Sequence, residues 1–137
     1  MIRIALAALL LATPALAQDE PRLIPPEEWV DMVGGQTVYY EIEGEPYGRE
    51  YYAPDGESVV FEHVSGACLE GRWTYFEPLE AYCFAWPGET SCFRHFEQDG
   101  ARLIQGVEPD GTLDTESLQE VGRIVPVPLT CEPGVTS

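Results

Sequence analysis

Lysine is absent from this chain of 137 residues, whose basic side chains are seven arginines set against 24 aspartates and glutamates. The formal net charge is −17 at pH 7. Nucleic acids and anionic membrane surfaces are poor partners for such a chain, because both would be repelled. A cationic protein is the partner that the charge favours, although an acidic surface also serves simply for solubility or adaptation to salt.

The chain also lacks an apolar run long enough to span a bilayer. Its most apolar stretch, residues 4–12 (IALAALLLA), follows Arg3 and precedes the small-x-small sequence Ala15-Leu16-Ala17. This order is typical of a secretory signal peptide that is cleaved before Gln18. We therefore expect a periplasmic or secreted protein, soluble and without stable membrane insertion.

The expected mature chain is long enough for one domain with one modest core. We predict a signal peptide at residues 1–17, an extended proline-rich lead-in at 18–26, a single β-domain at 27–131 and a mobile tail at 132–137. Three tryptophans, seven tyrosines and five phenylalanines favour a packed fold over a disordered acidic chain.

Motifs of established chemistry are missing. There is no C-x-x-C, H-E-x-x-H, nucleophile elbow, phosphate loop or Rossmann glycine pattern. The acidic stretch at 110–116 (DGTLDTE) does not have the EF-hand spacing. A metal site that joins His63 and His95 with Glu62 or Glu97 is not supported by their spacing. We expect no metal, no cofactor and no enzymatic activity.

One short helix is predicted near the N-terminus, at residues 26–35 (PEEWVDMVGG). Proline and two glutamates suit the first turn of a helix, and two glycines suit its end. The spacing places three apolar residues on one face: Trp29, Met32 and Val33. About two turns cannot be stable alone, so this helix must pack on the rest of the domain.

From residue 36 to about residue 123 the pattern predicts strands. Seven runs rich in aromatic and β-branched residues are separated by tight turns: 37–43, 47–53, 58–64, 71–77, 81–86, 91–97 and 101–107. The expected fold is all-β, an antiparallel up-and-down meander of seven to eight strands curled into a small barrel or half-barrel. A two-sheet sandwich is the alternative. A turn of helix at 115–120 and a strand near 121–125 are expected after the last run.

Four cysteines in an exported chain predict two disulfides. A hairpin turn at Pro87-Gly88 places Cys83 directly opposite Cys92, with Cβ atoms about 4.5–5.5 Å apart. We predict this bridge and, by elimination, Cys68–Cys131; a bridge from Cys83 to either of the other two cysteines is the alternative. The same register places an aromatic row on the opposite face, made of Tyr82, Phe84, Trp86 and Phe93.

Several side chains are candidates for contact with a ligand or partner. The candidate aromatic residues are Tyr39, Tyr51, Trp73, Tyr82 and Trp86. Some would line a pocket at the mouth of the barrel, and outward tyrosines would form a contact patch. The hairpin register also places Glu80 opposite His95. This pair is either a cross-strand polar pair or an acid/base couple.

The order of several short motifs resembles that of a known family. The motifs are EYYAPDG (50–56), GRW (71–73), YCFAW (82–86) and SCFRHF (91–96), and the likeness covers roughly residues 28–105. The family comprises small exported alphaproteobacterial proteins, catalogued as domain-of-unknown-function family 995 or a close relative. Because the family has no established activity, the resemblance implies no catalytic residue.

The expected function is a non-enzymatic binding or interaction module. Two more specific alternatives follow from the charge and the fold. One is an acidic inhibitor of a basic cell-wall hydrolase, and the other is a carrier of a small apolar ligand inside the barrel.

Overall fold

The structure, a computed structural model, describes residues 20–131, so the predicted signal peptide and the predicted tail at 132–137 lie outside the described residues. Nine strands, one α-helix and one 3-10 helix are present in the described part of the chain. They are β1 (Arg22–Leu23), α1 (Pro26–Val33), β2 (Gln36–Ile42), β3 (Glu45–Tyr52), β4 (Ser58–His63), β5 (Cys68–Phe76), the 3-10 helix (Glu77–Leu79), β6 (Ala81–Trp86), β7 (Glu89–Gln98), β8 (Ala101–Gly106) and β9 (Gln119–Val125).

Eight of the strands form a closed antiparallel barrel. Each strand from β2 to β9 pairs with the next, and β9 returns to pair with β2. The predicted up-and-down meander is confirmed, and the sandwich alternative is wrong. An eight-stranded barrel leaves an interior that side chains fill, or that holds one small ligand.

The two-residue strand β1 extends the wall of the barrel. It pairs with β7 at Glu97 and Phe96, beyond the last β7 residue that pairs with β6. The next residue, Ile24, is 2% exposed, and its backbone N–H donates to the His95 carbonyl at 2.9 Å. The described part of the predicted lead-in before the helix, residues 20–25, is therefore extended, and it also contributes to the core.

Helix α1 packs against one end of the barrel. Proline begins the helix, and Gly35 follows it with a positive φ of 72° that favours glycine. Trp29 and Val33 are fully buried, and Met32 packs beside them. The Trp29 ring contacts Tyr52 and other rings of the barrel. The predicted helix and its buried face are confirmed, and we call the barrel end that it covers the closed end.

The chain between β8 and β9 differs from the expectation. No helical turn forms at residues 115–120. The backbone N–H of Gly106 donates to the Ser117 hydroxyl at 2.8 Å, and the chain then enters β9 at Gln119. The Ser117 hydroxyl also donates to the Asp114 carbonyl at 3.2 Å, and such side-chain bonds to the nearby backbone compete with a helical turn. The strand expected near 121–125 is confirmed and starts two residues earlier.

Both predicted disulfides are present, and the described part of the chain has no free cysteine. Cys83 lies opposite Cys92 in the expected register, with Cα atoms 4.1 Å apart. Cys68, at the start of β5, is bonded to Cys131 across 63 residues of sequence. This long bridge fixes the chain that follows β9 to the barrel. No helix within residues 20–131 is long and apolar enough to cross a membrane.

Candidate ligand-binding site

A cavity of about 330 Å³ lies inside the barrel, on the side away from α1. Six of the residues that line it are aromatic: Tyr40, Tyr47, Phe61, Phe84, Trp86 and Phe93. Leu69 and Glu89 lie at its rim and are exposed to solvent. We call this open end the mouth. The volume is at the small end of the range that is typical of ligand sites, about 300–1,000 Å³.

Two glycines of the barrel strands leave room for aromatic rings of the wall. A Cβ on Gly71 would lie 2.5 Å from the Trp86 ring and from the Ala85 carbonyl oxygen. A Cβ on Gly48 would lie 2.6 Å from the Phe61 ring. Glycine inside a strand weakens it, but it lets a neighbouring ring lie across the backbone. These glycines therefore shape the cavity wall.

Trp86 lies in the cavity wall, near the mouth. Its ring stacks on Phe84 with centroids 5.8 Å apart and planes 6° apart, and it lies 6.4 Å from the Phe61 ring. Its indole N–H donates to the Ser91 hydroxyl at 3.1 Å. The disulfide Cys83–Cys92 lies on the outer face of the same hairpin. The hairpin thus presents a rigid aromatic surface to the cavity.

A buried carboxyl group, that of Glu50, also lines the cavity. Glu50 is 5% exposed and accepts a hydrogen bond from the Tyr40 hydroxyl at 3.1 Å. The Tyr40 hydroxyl is in turn 3.2 Å from the Tyr52 hydroxyl. Burial raises the pKa of Glu50 to about 7, and the two tyrosine hydroxyls partly oppose this shift. Glu50 therefore changes charge near neutral pH.

The imidazole of His95 lies deeper in the barrel and also lines the cavity. Its ring stacks on Tyr82 at 3.9 Å and meets the Trp29 ring edge-on at 4.4 Å. Among the described residues, neither ring nitrogen has a hydrogen-bond partner, and the indole N–H of Trp29 has none either. Burial lowers the pKa of His95 to about 3, so the ring is neutral at physiological pH.

The charges that line the cavity are of one sign. Among the described residues of its wall there are two carboxyl groups, Glu50 and Glu89, and no arginine. His95 adds no positive charge because its ring is neutral. A cavity with low-dielectric walls concentrates such a field. The site therefore disfavours anions.

The candidate aromatic residues divide into three places. Trp86 lines the cavity. Trp73 and Tyr82 pack in the core near α1, where the Tyr82 hydroxyl donates to the Ile24 carbonyl at 2.8 Å. Tyr39 and Tyr51 alternate with the inward side chains of their strands and face outward.

Tyr39 lies in a surface groove of about 440 Å³ formed by β2, β3, β4 and β9. Arg123 lies over the Tyr39 ring, 4.2 Å from its centroid. Arg49 donates to the Tyr39 hydroxyl at 3.4 Å and to the Glu62 carboxylate at 2.8 Å. Both arginines of this groove, Arg49 and Arg123, therefore already contact other side chains of the protein.

The expected pairing of His95 with Glu80 is wrong. Glu80 precedes β6, has a left-handed backbone and is exposed, whereas the His95 ring is buried without a hydrogen-bond partner. The prediction assumed that the pairing of β6 with β7 continues as far as Glu80. The chain that follows β1 lies beside His95 instead, since the backbone N–H of Ile24 donates to the His95 carbonyl.

The two histidines lie in different places. The Nδ1 atom of His63 accepts a hydrogen bond from the Ser65 backbone N–H at 3.1 Å, in the turn after β4. His95 lies at the inner end of the cavity. Within residues 20–131, no group of three or more histidine, cysteine, aspartate or glutamate side chains is arranged to hold a metal ion.

Sequence reasoning missed Glu50, which is the main polar group of the cavity. On β3 one face carries Arg49 and Tyr51, and the other carries Glu50 and Tyr52. Alternation cannot decide between two faces that each hold one charge and one tyrosine. The available signal was the partner strand β4, whose Val59 and Phe61 pair with Tyr52 and Glu50 and mark the inward face.

Comparisons of the chain with protein-family models, with curated proteins and with solved structures give no match, so the resemblance to the exported alphaproteobacterial family stays a prediction.

Proposed function

We propose that this protein is a non-enzymatic binding module that holds a small, largely apolar ligand inside its barrel. The observation that carries the proposal is the aromatic cavity that ends on the Glu50 carboxyl and the His95 imidazole. Ligand sites in proteins combine an apolar wall with a few polar groups that orient the ligand. The cavity has both parts and is open at the mouth.

Buried polar groups such as those of His95 lower the stability of the fold when they have no hydrogen-bond partner. A buried donor or acceptor without a partner costs about 1–3 kcal/mol, and each such group in a native protein calls for an explanation. His95 is 1% exposed, and neither of its ring nitrogens has a partner among the described residues. An apolar residue of similar shape would fill the core at lower cost. Both nitrogens are buried away from the cavity, so the polar group that a ligand would reach there is the Glu50 carboxyl.

The test uses a residue at the mouth. Leu69 is 36% exposed, so its replacement should change the stability of the domain little. Leu69→Trp adds a ring that narrows the entrance, whereas Leu69→Ala widens it. Native mass spectrometry of the protein purified from a periplasmic extract would detect a retained small molecule. Binding of aromatic fragments would be measured in parallel by protein-observed NMR.

We expect wild type and Leu69→Ala to bind, and Leu69→Trp to bind at least about tenfold more weakly. Fragment-induced shifts should include the signals of Trp86 and Phe61. The proposal fails if no fragment shifts the signals of the cavity, or if the variant Leu69→Trp binds as well as wild type.

The proposed location is the periplasm or the cell exterior, after cleavage near Ala17-Gln18. Two disulfides support this location, since such bonds persist in oxidising compartments and are rare in the cytosol. Intact-mass analysis of the protein from a periplasmic fraction would test it. The expected mass is that of a chain beginning at Gln18 with all four cysteines oxidised. Retention of the first 17 residues would contradict the proposal.

A second candidate is the inhibition of a basic cell-wall hydrolase. One observation favours it: the arginines of the described chain are mostly paired with carboxylates, so the excess acidic charge faces solvent. The pairs are Arg22 with Glu28 and Glu97, Arg49 with Glu62, Arg72 with Glu57, and Arg102 with Glu97. Lysozyme would be titrated at two salt concentrations. Binding that weakens steeply with salt is expected, and no binding at low ionic strength would end this candidate.

A further inference from the structure

The charge of the cavity restricts the class of ligand, if the cavity is a binding site as proposed above. An anionic ligand would meet Glu50 and Glu89 without a compensating arginine in the described wall. It would also be repelled by a chain with a net charge of −17. Fatty acids and other amphiphilic carboxylates are therefore poor occupants. Neutral and cationic molecules remain.

The wall of the cavity favours a cation over a neutral molecule. Phe61, Phe84 and Trp86 form one continuous aromatic cluster, with neighbouring centroids 5.8 and 6.4 Å apart. The faces of aromatic rings carry partial negative charge and attract ammonium groups. Glu50 lies in the same wall, at the inner end, and is shielded from solvent. Charge-assisted hydrogen bonds to a carboxylate are roughly twice as strong as neutral ones.

We propose that the ligand is an organic monocation, a compact aromatic or cyclic body with one protonated amine, and that the amine pairs with Glu50 at the inner end of the cavity. The body of the ligand lies against the cluster of Phe61, Phe84 and Trp86. This inference rests on the proposed binding function and specifies its ligand.

Pairing with an ammonium group requires the ionised form of Glu50. Since the pKa of Glu50 in the folded protein is about 7, binding of a cation near pH 6 releases a proton from this carboxyl to the buffer. Two neighbouring hydroxyls, those of Tyr40 and Tyr52, have pKa values raised well above the usual value by burial and do not titrate in this range. The inward residues of the other strands nearby are uncharged: Phe61 on β4, Phe84 and Trp86 on β6, His95 on β7 with a pKa of about 3, Ile104 on β8 and Gln119 on β9. Glu89 is the other carboxylate of the wall and lies at the mouth.

Three probes with the same aromatic body separate the possibilities: tryptamine, tryptophol and indole-3-propionate. They differ only in a cationic, neutral or anionic end group. Binding to the mature protein would be measured by isothermal titration calorimetry at pH 6 and pH 8, in buffers of low and high ionisation enthalpy. The variants are Glu50→Gln, which keeps the shape, and Glu70→Gln, which removes an exposed carboxylate elsewhere on the barrel.

Tryptamine is expected to bind at least about tenfold more tightly than tryptophol, and indole-3-propionate not to bind measurably. The preference should disappear in Glu50→Gln and persist in Glu70→Gln. Proton release on binding tryptamine should be seen at pH 6, should be small at pH 8 and should be absent in Glu50→Gln.

Equal binding of tryptamine and tryptophol by wild type would overturn the inference and leave the binding function standing. Loss of the preference in Glu70→Gln as well would assign it to the overall charge instead of Glu50, and would also overturn the inference. Absence of binding by all three probes would count against the proposed function itself.

Discussion

The charge state of Glu50 should control how the stability of the domain depends on pH. An exposed glutamate has a pKa of 4.5, and that of Glu50 is about 7 in the folded protein. Between these values the unfolded chain has lost a proton that the folded chain still holds. The free energy of unfolding therefore falls as pH rises through this window, by about 1.4 kcal/mol per unit and about 3 kcal/mol in total.

His95 has the opposite effect in an overlapping window. Its pKa is 6.5 when exposed and about 3 in the folded protein. Between these values the unfolded chain holds a proton that the folded chain lacks, so the free energy of unfolding rises as pH rises. From pH 4.5 to 6.5 the two effects cancel. Wild type should be nearly flat there and should lose stability only slightly between pH 6.5 and about 7.

Glu50→Gln removes one of the two effects and exposes the other. The variant should gain about 3 kcal/mol of stability as pH rises from 4.5 to 6.5, and should then level off. Its absolute stability is a weaker indicator, because the new amide needs its own hydrogen-bond partners. The slope of the pH profile is therefore the quantity to compare.

Urea denaturation followed by tryptophan fluorescence, with disulfides intact, would give the free energy of unfolding at each pH. Measurements should stay at or above pH 4.5, because Glu28, Asp55 and Asp110 have lowered pKa values and add their own acid dependence below that. Glu70→Gln is the matched control and should keep the flat profile of wild type. A profile for Glu50→Gln that is as flat as that of wild type would refute the assignment of a raised pKa to this carboxyl.

Three further predictions follow from the packing. His95→Phe removes two buried nitrogens that have no partner among the described residues, and should raise the free energy of unfolding by about 1–3 kcal/mol near pH 7. Only the effect of Glu50 then remains, so the free energy of unfolding of the variant should fall steadily from pH 4.5 to 7. A flat profile would contradict this. Gly71→Ala places a Cβ 2.5 Å from the Trp86 ring and should lower the free energy of unfolding by about 1–3 kcal/mol and shift the indole N–H signal of Trp86 in NMR spectra. An unchanged signal would show that the ring does not need this space. Replacing Cys68 and Cys131 by alanine opens a loop of 63 residues and should lower the free energy of unfolding by about 4 kcal/mol. Replacing Cys83 and Cys92 should lower it by about 3 kcal/mol, because the hairpin loop is shorter. Thermal unfolding that ranks the two pairs in reverse would contradict the chain-entropy argument.

The hairpin of β6 and β7 shows how far local sequence reaches. The turn at Pro87-Gly88 fixes which residues are opposite, and the alternation of side chains then fixes their faces. The Cys83–Cys92 bridge and the aromatic row follow from these two local facts. The same logic fails just before β6 begins. Glu80 adopts a left-handed backbone that ends the pairing, so it does not face His95.

The sequence alone thus determined the elements whose signals are local: the helix α1, the short strands with their tight turns, the hairpin register and the cysteine pairing that this register implies. Closure of the barrel was decided by tertiary structure, because the pairing of β9 with β2 joins segments about 80 residues apart and leaves no local signal. The cavity was decided there as well. Glu50 faces the interior because the neighbouring strands β2 and β4 place the apolar side chains paired with it, Val38 and Phe61, on that face. His95 is uncharged because α1 and the aromatic rings exclude water from its imidazole.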